Sequence, residues 1–491
     1  MKAVKTNKSK KWKNRKGKGF KGIAVSARKI NASTGYETCT EQLSPFGGLL
    51  AMIKFFDLIG FKEIFQATYC DPTREPKLGH YSMVVGLLML LFIGFNRIWH
   101  FTYIRLDAIL CGFFRLPKLP VASTFWRYLD SMGINQAQSL LNLMDLLRER
   151  VWQQLGFSYS RICIDIDTTV ETLYGNQQGG RKGHNTKHRG KKGYRPVLCF
   201  IEQTREYLVG KLRKGKTMSG KQAAAFIFRI KNHLPGCVRQ VLLRADGEFQ
   251  GWESIRAAKC CDFDFIIANK GCNPPFQAGD WYRPYKHGEM EYNSCVYQPL
   301  GWKASCRFVA MRTLKDPSAQ IQCALFEEDN YTYRIFCTSL SGPAHQVVSE
   351  YDKRADVENL VGEAKREGLE AVPSAKFKNN YAFFQLVMLS YNIWRYMKLL
   401  AVMSQKNKKE NIEKASLKTV ASNTIRIARL KMLLIAAKVV KDQNRDKVKF
   451  SIHDARTPAM IRFLNFLDKA RLKPKPWSAG GLWPERFALE T

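Results

Sequence analysis

The sequence lacks cysteine pairs at metal-ligand spacing. Its 13 cysteines include no C-x-x-C pair, and an odd, irregularly spaced set does not indicate a disulfide framework. We therefore expect reduced thiols. His184 and His188 have a spacing that zinc ligands use, but they lie in a Gly-, Lys- and Arg-rich stretch without a nearby cysteine or acid. A zinc site at these histidines is therefore disfavoured.

Long apolar runs are also missing. The longest run, residues 82–95, is too short to cross a bilayer and predicts a core helix instead. The N-terminus is basic and polar, which is not typical of a signal peptide. We therefore expect a soluble, cytoplasmic protein with no membrane partner.

Acidic residues are scarce relative to basic ones. The 491 residues include 79 Lys and Arg against 42 Asp and Glu, which gives a formal net charge of +37. This excess indicates a polyanionic partner, most commonly nucleic acid. Residues 1–36 contain no acid, and ten of the first 21 residues are Lys or Arg, which predicts a disordered basic arm that binds phosphates. A ribosome-associated or chromatin-like binder is the less specific alternative.

The rest of the chain divides by its hydrophobic periodicity, which changes from helical spacing to alternating strands and helices near residue 158. This pattern predicts an α/β fold class. The predicted regions are a helical N-terminal DNA-binding domain, the first part of an α/β catalytic core, a β-rich insertion, the second part of the core with the helix of Glu358, and a basic helical C-terminal segment: residues 37–157, 158–270, 271–330, 331–405 and 406–491. Within the last region, residues 424–440 are predicted to form one amphipathic helix.

Carboxylates stand at the ends of two predicted strands. Asp165 and Asp167 lie two residues apart on the strand RICIDID, so both point to one face. Asp246 ends the strand VRQVLLRAD in the same way. Buried carboxylates are costly unless a cation or water compensates them, and Mg²⁺ prefers such oxygen ligands. The alternative, that each aspartate only caps a turn, stays open from these residues alone.

A third carboxylate lies in a helix predicted to begin near Ser349. At about 100° per residue, four side chains of this helix fall within an arc of roughly 60°: Tyr351, Arg354, Glu358 and Lys365. The competing acids point elsewhere: Asp352, Asp356 and Glu363. One face thus combines a carboxylate, an aromatic hydroxyl and two cations, which suits metal and phosphate binding. A solvated helix with intrahelical ion pairs is the alternative.

The combination resembles bacterial insertion-sequence transposases of the DDE type that carry the YREK signature, Y-x2-R-x3-E-x6-K. The four side chains on the helix face match that spacing without departure, and further landmarks follow in order: Asp167-Thr168-Thr169, Tyr174-Gly175, Gly193-Tyr194-Arg195-Pro196 and Arg244-Ala245-Asp246. The likeness covers roughly residues 45–440. One departure is Glu248, which follows Asp246 closely and could compete with it, as Asp165 could with Asp167.

The resemblance implies a ribonuclease-H-like core with a β-rich insertion. It carries Asp167, Asp246 and Glu358 over as catalytic ligands of two Mg²⁺ ions, for which Mn²⁺ would substitute. It also implies a homodimer that cuts double-stranded DNA at the terminal inverted repeats of its element and joins the ends to target DNA, in the cytoplasm and nucleoid of a bacterium. The alternatives are a nuclease that only hydrolyses and a non-catalytic end-binding protein.

The remaining predicted site residues would contact DNA. In relatives with this signature, the element is released through a DNA hairpin, which Tyr351, Arg354 and Lys365 would support by holding phosphates. A hairpin requires an unstacked base, and an aromatic face is suited to hold it. Trp281, after a Gly-Asp turn, is the first candidate in the insertion, and Trp302 is the second.

Overall fold

The computed structural model describes residues 17–18, 24–25, 28, 30–72, 74–183, 188–285, 288–315, 330–405 and 417–472. Most of the predicted basic arm and His184 lie outside these residues. The helices are α1 (Leu49–Leu58), α2 (Phe61–Thr68), α3 (Gly79–Ile93), α4 (Phe101–Ile104), α5 (Ala108–Phe114), α6 (Ala122–Ser131), α7 (Ile134–Leu155), α8 (Gly220–Asn232), α9 (Trp252–Cys260), α10 (Ala344–Asp352), α11 (Ala355–Ala364), α12 (Phe377–Met403), α13 (Ile425–Met432) and α14 (Thr457–Leu472).

The strands form four sheets. They are β1 (Gly17–Lys18), β2 (Ala24–Val25), β3 (Leu43–Ser44), β4 (Arg161–Thr168), β5 (Glu171–Thr172), β6 (Arg181–Lys182), β7 (Lys192–Tyr194), β8 (Val197–Ile201), β9 (Glu206–Lys211), β10 (Gln240–Ala245), β11 (Phe263–Ala268), β12 (Met290–Tyr297), β13 (Cys306–Leu314), β14 (Tyr331–Thr338), β15 (Ala437–Asp442) and β16 (Arg445–Phe450).

The central sheet has eight strands in the order β12-β13-β14-β11-β10-β4-β8-β9. Strands β4, β10 and β11 are parallel to one another, whereas β8 and β9 follow β4 as an antiparallel meander. Helix α8 connects β9 to β10, and α9 connects β10 to β11. The predicted mixed α/β class is therefore confirmed.

The predicted β-rich insertion differs from the structure in its extent. Strands β12 and β13 do not form a small separate unit, because β13 pairs with β14 and β14 pairs with β11. The insertion therefore widens the central sheet. The edge of β11 carries unpaired backbone groups that need hydrogen-bond partners, and β14 supplies them.

The chain divides into two compact units. Unit 1 contains the described residues within 1–54, 104–119 and 401–468, and unit 2 contains those within 55–103, 120–400 and 469–472. The predicted N-terminal domain, residues 37–157, is therefore not a single unit, and most of its helices belong with the central sheet. Helix α7 is bound to β9 of that sheet: Arg148 Nη2 donates to Tyr207 O at 3.0 Å and Trp152 Nε1 donates to Glu206 Oε1 at 2.9 Å.

Helix α12 forms much of the core of unit 2. Nearly every residue along it is buried, so it is apolar or internally hydrogen-bonded all round, as expected of a central helix. Asn392 exchanges two hydrogen bonds of 2.8 Å with the backbone of Tyr207 on β9. Trp394 stacks on Phe92 of α3 with ring centroids 4.0 Å apart. Residues 82–93 of the apolar run 82–95 thus lie in a buried core helix, as predicted, and the helix ends before Gly94.

The C-terminal part of unit 1 corrects a sequence prediction. The helix predicted over residues 424–440 ends at Met432, and β15 and β16 then form a hairpin that pairs with β3. Gln443 and Asn444 both have positive φ, 45° and 60°, in the two-residue loop between Asp442 and Arg445. Such a loop matches the twist of a hairpin. The segment is therefore not wholly helical, because the β-branched Val439 and Val440 favour a strand.

Among the described residues, no single helix is long and apolar enough to cross a membrane. Helix α3 and the segment Ile98–Ile104 have the required length and hydropathy only when they are taken together, and the chain bends by 89° at the break between them.

Candidate active site

The carboxyl ends of β4 and β10 bring two predicted carboxylates together. The strands are parallel, with Ala245 level with Ile166, so Asp246 follows beside Asp167 in register. The Asp167 side chain is 16% exposed, and that of Asp246 is also half-buried. Asp246 Oδ1 accepts from Glu248 N at 3.1 Å and so caps the short helical turn that follows it. Parallel pairing thus places both carboxylates at one edge of the sheet.

Arg354 supplies positive charge to this edge. Its Nη2 donates to Asp167 Oδ1 at 2.8 Å and to Ile166 O at 2.7 Å. Burial raises the pKa of Asp167 to about 6; Arg354 opposes this rise, whereas Asp246 and Glu358 add to it by their negative charge. Burial also raises the pKa of Asp246, again opposed by Arg354. The three predicted ligands therefore share one electrostatic environment, with Arg354 among them.

Glu358 lies in the first turn of α11, and its side chain is exposed. The competing acids of this segment are engaged elsewhere. Asp352 pairs with Arg334, Asp356 pairs with Arg205, and Glu363 is buried on another side of the helix. The predicted separation of Glu358 from these acids agrees with their placement.

The predicted single helix through these residues is interrupted. Helix α10 ends at Asp352 and α11 begins at Ala355. Between them the backbone forms i to i−3 hydrogen bonds: Arg354 N donates to Tyr351 O and Val357 N donates to Arg354 O, both at 2.9 Å. A wider turn follows α11 and includes Gly368 at φ 125°. The helical-wheel arc is therefore only approximate. The tighter turn at Arg354 coincides with its side-chain contacts to β4.

The other two residues of the predicted signature also contact the strand ends. The Tyr351 hydroxyl donates to Ala245 O at 3.4 Å, one residue before Asp246. Lys365 Nζ donates to Val170 O at 3.1 Å, three residues after Asp167. These side chains were predicted to hold DNA phosphates, and in the structure they hold the protein's own backbone. They thereby fix α10 and α11 relative to β4 and β10.

Asp165, the rival for the first position, is engaged by a different residue. Arg244 holds it with two hydrogen bonds, Nε to Oδ1 at 2.7 Å and Nη2 to Oδ2 at 2.9 Å, and the arginine is fully buried. Arg244 Nη1 also donates to Glu350 O at 2.7 Å. Sequence reasoning missed this pair, although Arg244 lies two residues before Asp246 and so shares its face of the sheet.

Glu248, the rival for the second position, is also held by neighbours. It accepts from Thr168 Oγ1 at 2.8 Å, from Arg195 Nη2 at 2.8 Å and from Met218 N at 2.6 Å. Burial would raise its pKa, but these donors and the positive charge of Arg195 lower it. Glu248 therefore joins the ends of β4 and β10 to the loop before α8. Arg195 was noted only as part of a turn motif.

A family model for the transposase DDE domain, group 1, matches residues 25–472. The chain belongs to this family. Members of the family are DDE transposases, which use divalent metals, and the family implies nuclease and transesterase activity.

No curated protein matches this transposase. Among solved structures, a piggyBac transposase in a synaptic complex with hairpin DNA is similar at 12% identity, with a TM-score of 0.37. The alignment covers 77% of this chain and 85% of that chain.

One further acidic group lies in the transposase near the site. Cys163, Glu202 and Glu350 have potential ligand atoms within 4.8 Å of one another, and no other set of three in the described residues meets that distance. The guanidinium of Arg244 pairs with both glutamates, at 3.4 Å from Glu202 and 3.5 Å from Glu350. Lys353 also pairs with Glu350 at 2.6 Å, so the protein itself supplies two cations to this group.

The predicted aromatic residues pack within the β12–β14 region. The guanidinium of Arg312 packs on the Trp281 ring, with its central carbon 4.2 Å from the ring centroid. The same carbon lies 4.2 Å from the ring centroid of Tyr331. Trp302 lies 6.2 Å from Trp252 and 6.0 Å from Phe308 between ring centroids. Both tryptophans are partly buried. The structure does not bring either one into contact with the predicted carboxylates.

Proposed function

We propose that this transposase catalyses metal-dependent cleavage at the ends of its own DNA element and transfers the freed ends to target DNA. The observation that carries the proposal is that Asp167 and Asp246 lie side by side at the ends of parallel strands, while Arg354, on the segment that carries Glu358, binds Asp167. The negative charges of Asp246 and Glu358 both raise the pKa of Asp167, and the positive charge of Arg354 lowers it. A cluster of carboxylates that repel each other is suited to bind a divalent cation.

The strand order supports a ribonuclease-H-like core. An antiparallel meander, β4-β8-β9, precedes two helix–strand units that add β10 and β11 parallel to β4. This is the arrangement that such cores have. It places the ends of β4 and β10 side by side at the centre of the sheet, where Asp167 and Asp246 lie.

The donor chemistry fits Mg²⁺. Asp167, Asp246 and Glu358 offer only carboxylate oxygens, which hard cations prefer, and Glu358 is exposed, so the site is open to substrate. Bound Mg²⁺ would supply positive charge to the scissile phosphate and make water or a hydroxyl a better nucleophile. We propose these three side chains as the ligands of two ions, with Mn²⁺ able to substitute.

The residues around the carboxylates would position them. Arg354 fixes the Asp167 side chain and the strand end behind it, while Tyr351 and Lys365 fasten the helices to the adjacent carbonyls. Arg354 Nε is buried and has no hydrogen-bond partner in the described residues. A rearrangement that exposes it would offer a donor to a phosphate at the site.

The overall reaction needs no external energy source. Hydrolysis of one phosphodiester bond at each element end adds water across the P–O bond and frees a 3′ hydroxyl. That hydroxyl then attacks a phosphodiester of another strand, so one P–O bond forms as another breaks and the leaving hydroxyl takes the proton. We propose terminal inverted repeats of the element as the DNA and a homodimer as the form that holds two ends.

The test uses DNA from both flanks of the gene, with and without a pre-cut end. The wild-type protein with Mg²⁺ should cut the uncut ends and join the pre-cut ends to a plasmid. Asp167→Asn, Asp246→Asn and Glu358→Gln should reduce both reactions by at least about 10³-fold, because each removes a ligand charge. Gel shifts in EDTA should show that end binding persists.

Asp356→Asn is the matched control. It removes a carboxylate from the same helix, but this carboxylate pairs with Arg205 and not with the residues of the site. It should cut and join at nearly the wild-type rate. If the wild-type protein cuts but never joins pre-cut ends, it is a nuclease and the proposal is wrong.

A further inference from the structure

A second, basic site lies beside Glu248. A cavity of about 780 Å³ lies between β9, the loop after it, and α8. Of the described residues that line it, none is acidic and six carry a positive charge: Arg181, Lys211, Arg213, Lys214, Lys216 and Arg229. The cavity belongs wholly to unit 2.

The positive charges of this cavity are largely uncompensated within the protein. In the described part of the chain, Lys211, Lys214 and Lys216 form no ion pair with a carboxylate, and the nearest acid to Arg213 is Glu248 at 3.8 Å. Arg213 Nη1 is buried without a hydrogen-bond partner there. Desolvation lowers the pKa of Lys211, and the neighbouring cations Arg229 and Arg213 lower it further. An anion in the cavity would relieve this repulsion.

The backbone that carries the cations is fixed. The backbone of Lys214 forms an antiparallel β-bridge with that of Tyr194, and Arg195 N donates to Arg213 O at 3.0 Å. A Cβ at Gly215 would lie 2.2 Å from Gly193 O, so this loop approaches β7 more closely than any other residue would allow. The loop therefore presents its lysines from a preorganised backbone.

Aromatic side chains line the same cavity. Phe228 on α8 is 42% exposed, which is unusual for a phenylalanine on a helix that buries Phe226 and Ile227. Phe377 also lines the cavity and is held by Tyr194, with ring centroids 5.3 Å apart. Cations that follow a backbone, together with accessible aromatic faces, are the features by which proteins bind unpaired nucleic acid strands.

The cavity is joined to the candidate active site by two shared residues. Arg213 and Met218 line it, and both hold Glu248, the first at 3.8 Å and the second by a hydrogen bond of 2.6 Å from its backbone nitrogen. Glu248 in turn follows Asp246 by two residues and accepts from Thr168, next to Asp167. Glu248 therefore connects the lining of the cavity to the strand ends that carry Asp167 and Asp246.

We propose that this cavity binds a short unpaired segment of the DNA strand that enters the active site, with phosphates on Lys211, Lys214 and Lys216 and a base on Phe228. The proposal rests on the proposed function, since it takes DNA as the substrate. A volume of this size admits a few nucleotides but not a turn of double helix. The protein would thus hold DNA with locally separated strands beside the cleavage site.

The test measures binding by the full-length protein in EDTA, so its result does not depend on cleavage. The probe is a fluorescent single strand of about ten nucleotides, within the range of ~4–16 that single-strand sites cover. Each phosphate contact contributes ~0.7 to the slope of log affinity against log salt concentration for single strands. The double variant Lys214→Ala/Lys216→Ala should therefore lower the slope by about 1.4.

The matched control is Lys77→Ala/Lys259→Ala, which removes the same charge from two exposed lysines that do not line the cavity. It should leave the slope nearly unchanged. Phe228→Ala should weaken single-strand binding about tenfold without changing the slope, because stacking involves no counterion release. All variants should keep the wild-type melting temperature within a few degrees.

Binding to duplex DNA of the same length shows whether a loss of affinity is specific to single strands. The cavity variants should lose more affinity for the single strand than for the duplex. Equal losses on both, or equal slopes in the cavity and control variants, would overturn the proposal while leaving the proposed cleavage function untouched. If instead the wild-type protein binds the strand normally but never cuts DNA, the proposed function fails and the cavity remains a single-strand site.

Discussion

Arg354 and Asp167 form the central contact of the candidate site. One guanidinium nitrogen of Arg354 donates both to the Asp167 carboxylate at 2.8 Å and to the carbonyl of Ile166 at 2.7 Å. The arginine therefore fixes the side chain and the strand that carries it at the same time. Because 187 residues separate the two in sequence, this contact ties the turn between α10 and α11 to the end of β4.

Acid should weaken metal-dependent cleavage below about pH 6. The pKa of Asp167 is raised to about 6, chiefly by burial, and only the ionised carboxylate binds a cation. As pH falls through that value, the Mg²⁺ concentration for half-maximal cleavage should rise up to about tenfold per pH unit. Cleavage rates measured over a series of Mg²⁺ concentrations at each pH test this. A requirement for Mg²⁺ that is flat between pH 5 and pH 7 would contradict it.

Arg354→Gln should move this transition to higher pH. The charge of Arg354 opposes the rise in the pKa of Asp167, so its removal lets that pKa rise further. Arg354→Lys keeps the charge but not the planar fork, so it should keep the wild-type transition and lose rate because Asp167 is less well oriented. Both variants should be compared in the same pH series. The same transition pH for Arg354→Gln and wild type would exclude the electrostatic role.

Asp165→Ala should destabilise the protein rather than remove a ligand. It removes the nearest carboxylate from the fully buried Arg244, which keeps the Glu350 carbonyl and the more distant carboxylates of Glu202 and Glu350. We expect a cost of about 3 kcal/mol in the free energy of unfolding. Asp442→Ala is the control, since its pair with Lys447 is half exposed on both sides and contributes about 0–1 kcal/mol.

Urea denaturation gives both values. A double change of Asp165 to Leu and Arg244 to Met should recover part of the loss, because it removes the buried charges together. An Asp165→Ala protein that is as stable as wild type but does not cut DNA would instead identify Asp165 as a metal ligand.

Gly48→Ala should destabilise unit 1. A Cβ at Gly48 would lie 1.8 Å from Met432 O and 2.6 Å from Leu433 Cα, and backbone atoms cannot give way as a flexible side chain can. We expect a loss of about 1–3 kcal/mol in thermal or urea unfolding. Gly112→Ala is the control in the same unit, because its Cβ would meet nothing within 4 Å, and alanine favours the helix α5 by up to ~1 kcal/mol. Equal stability of the two variants would refute the packing argument.

Trp281 is our candidate for holding an unstacked base near the cut. Trp281→Ala should slow cleavage of an intact end by about tenfold or more, since stacking is worth roughly 1–3 kcal/mol. A substrate without the base beside the cleavage site should restore part of the rate. Trp302→Ala serves as the comparison, because Trp302 packs against Trp252 and Phe308. If the missing base restores nothing, Trp281 acts through its packing on Arg312, Phe276 and Tyr333.

The position of each carboxylate within its own strand or helix could be predicted from the sequence because it depends on local patterns. Alternation puts Asp165 and Asp167 on one face of a strand, and a buried strand that ends in Asp246 predicts a carboxylate at a sheet edge. The spacing of Tyr351, Arg354 and Glu358 places them near each other even though the helix is interrupted between them. These features involve neighbours within a turn or a strand, and the sequence encodes such neighbours directly.

The tertiary structure decided the contacts between distant segments. The sequence did not show that Arg244 takes Asp165, that Glu248 is held by Arg195, or that β14 joins the edge of β11. It also did not show that the helices before residue 157 divide between two units.

The physical reason is the same in each case. An ion pair or a strand pairing depends on which groups meet after the chain has folded, and several residues of the right charge or periodicity compete for each partner. Local periodicity determined which elements carry Asp167, Asp246 and Glu358. Packing then determined which carboxylates are neutralised by the protein and which remain together at the edge of the sheet.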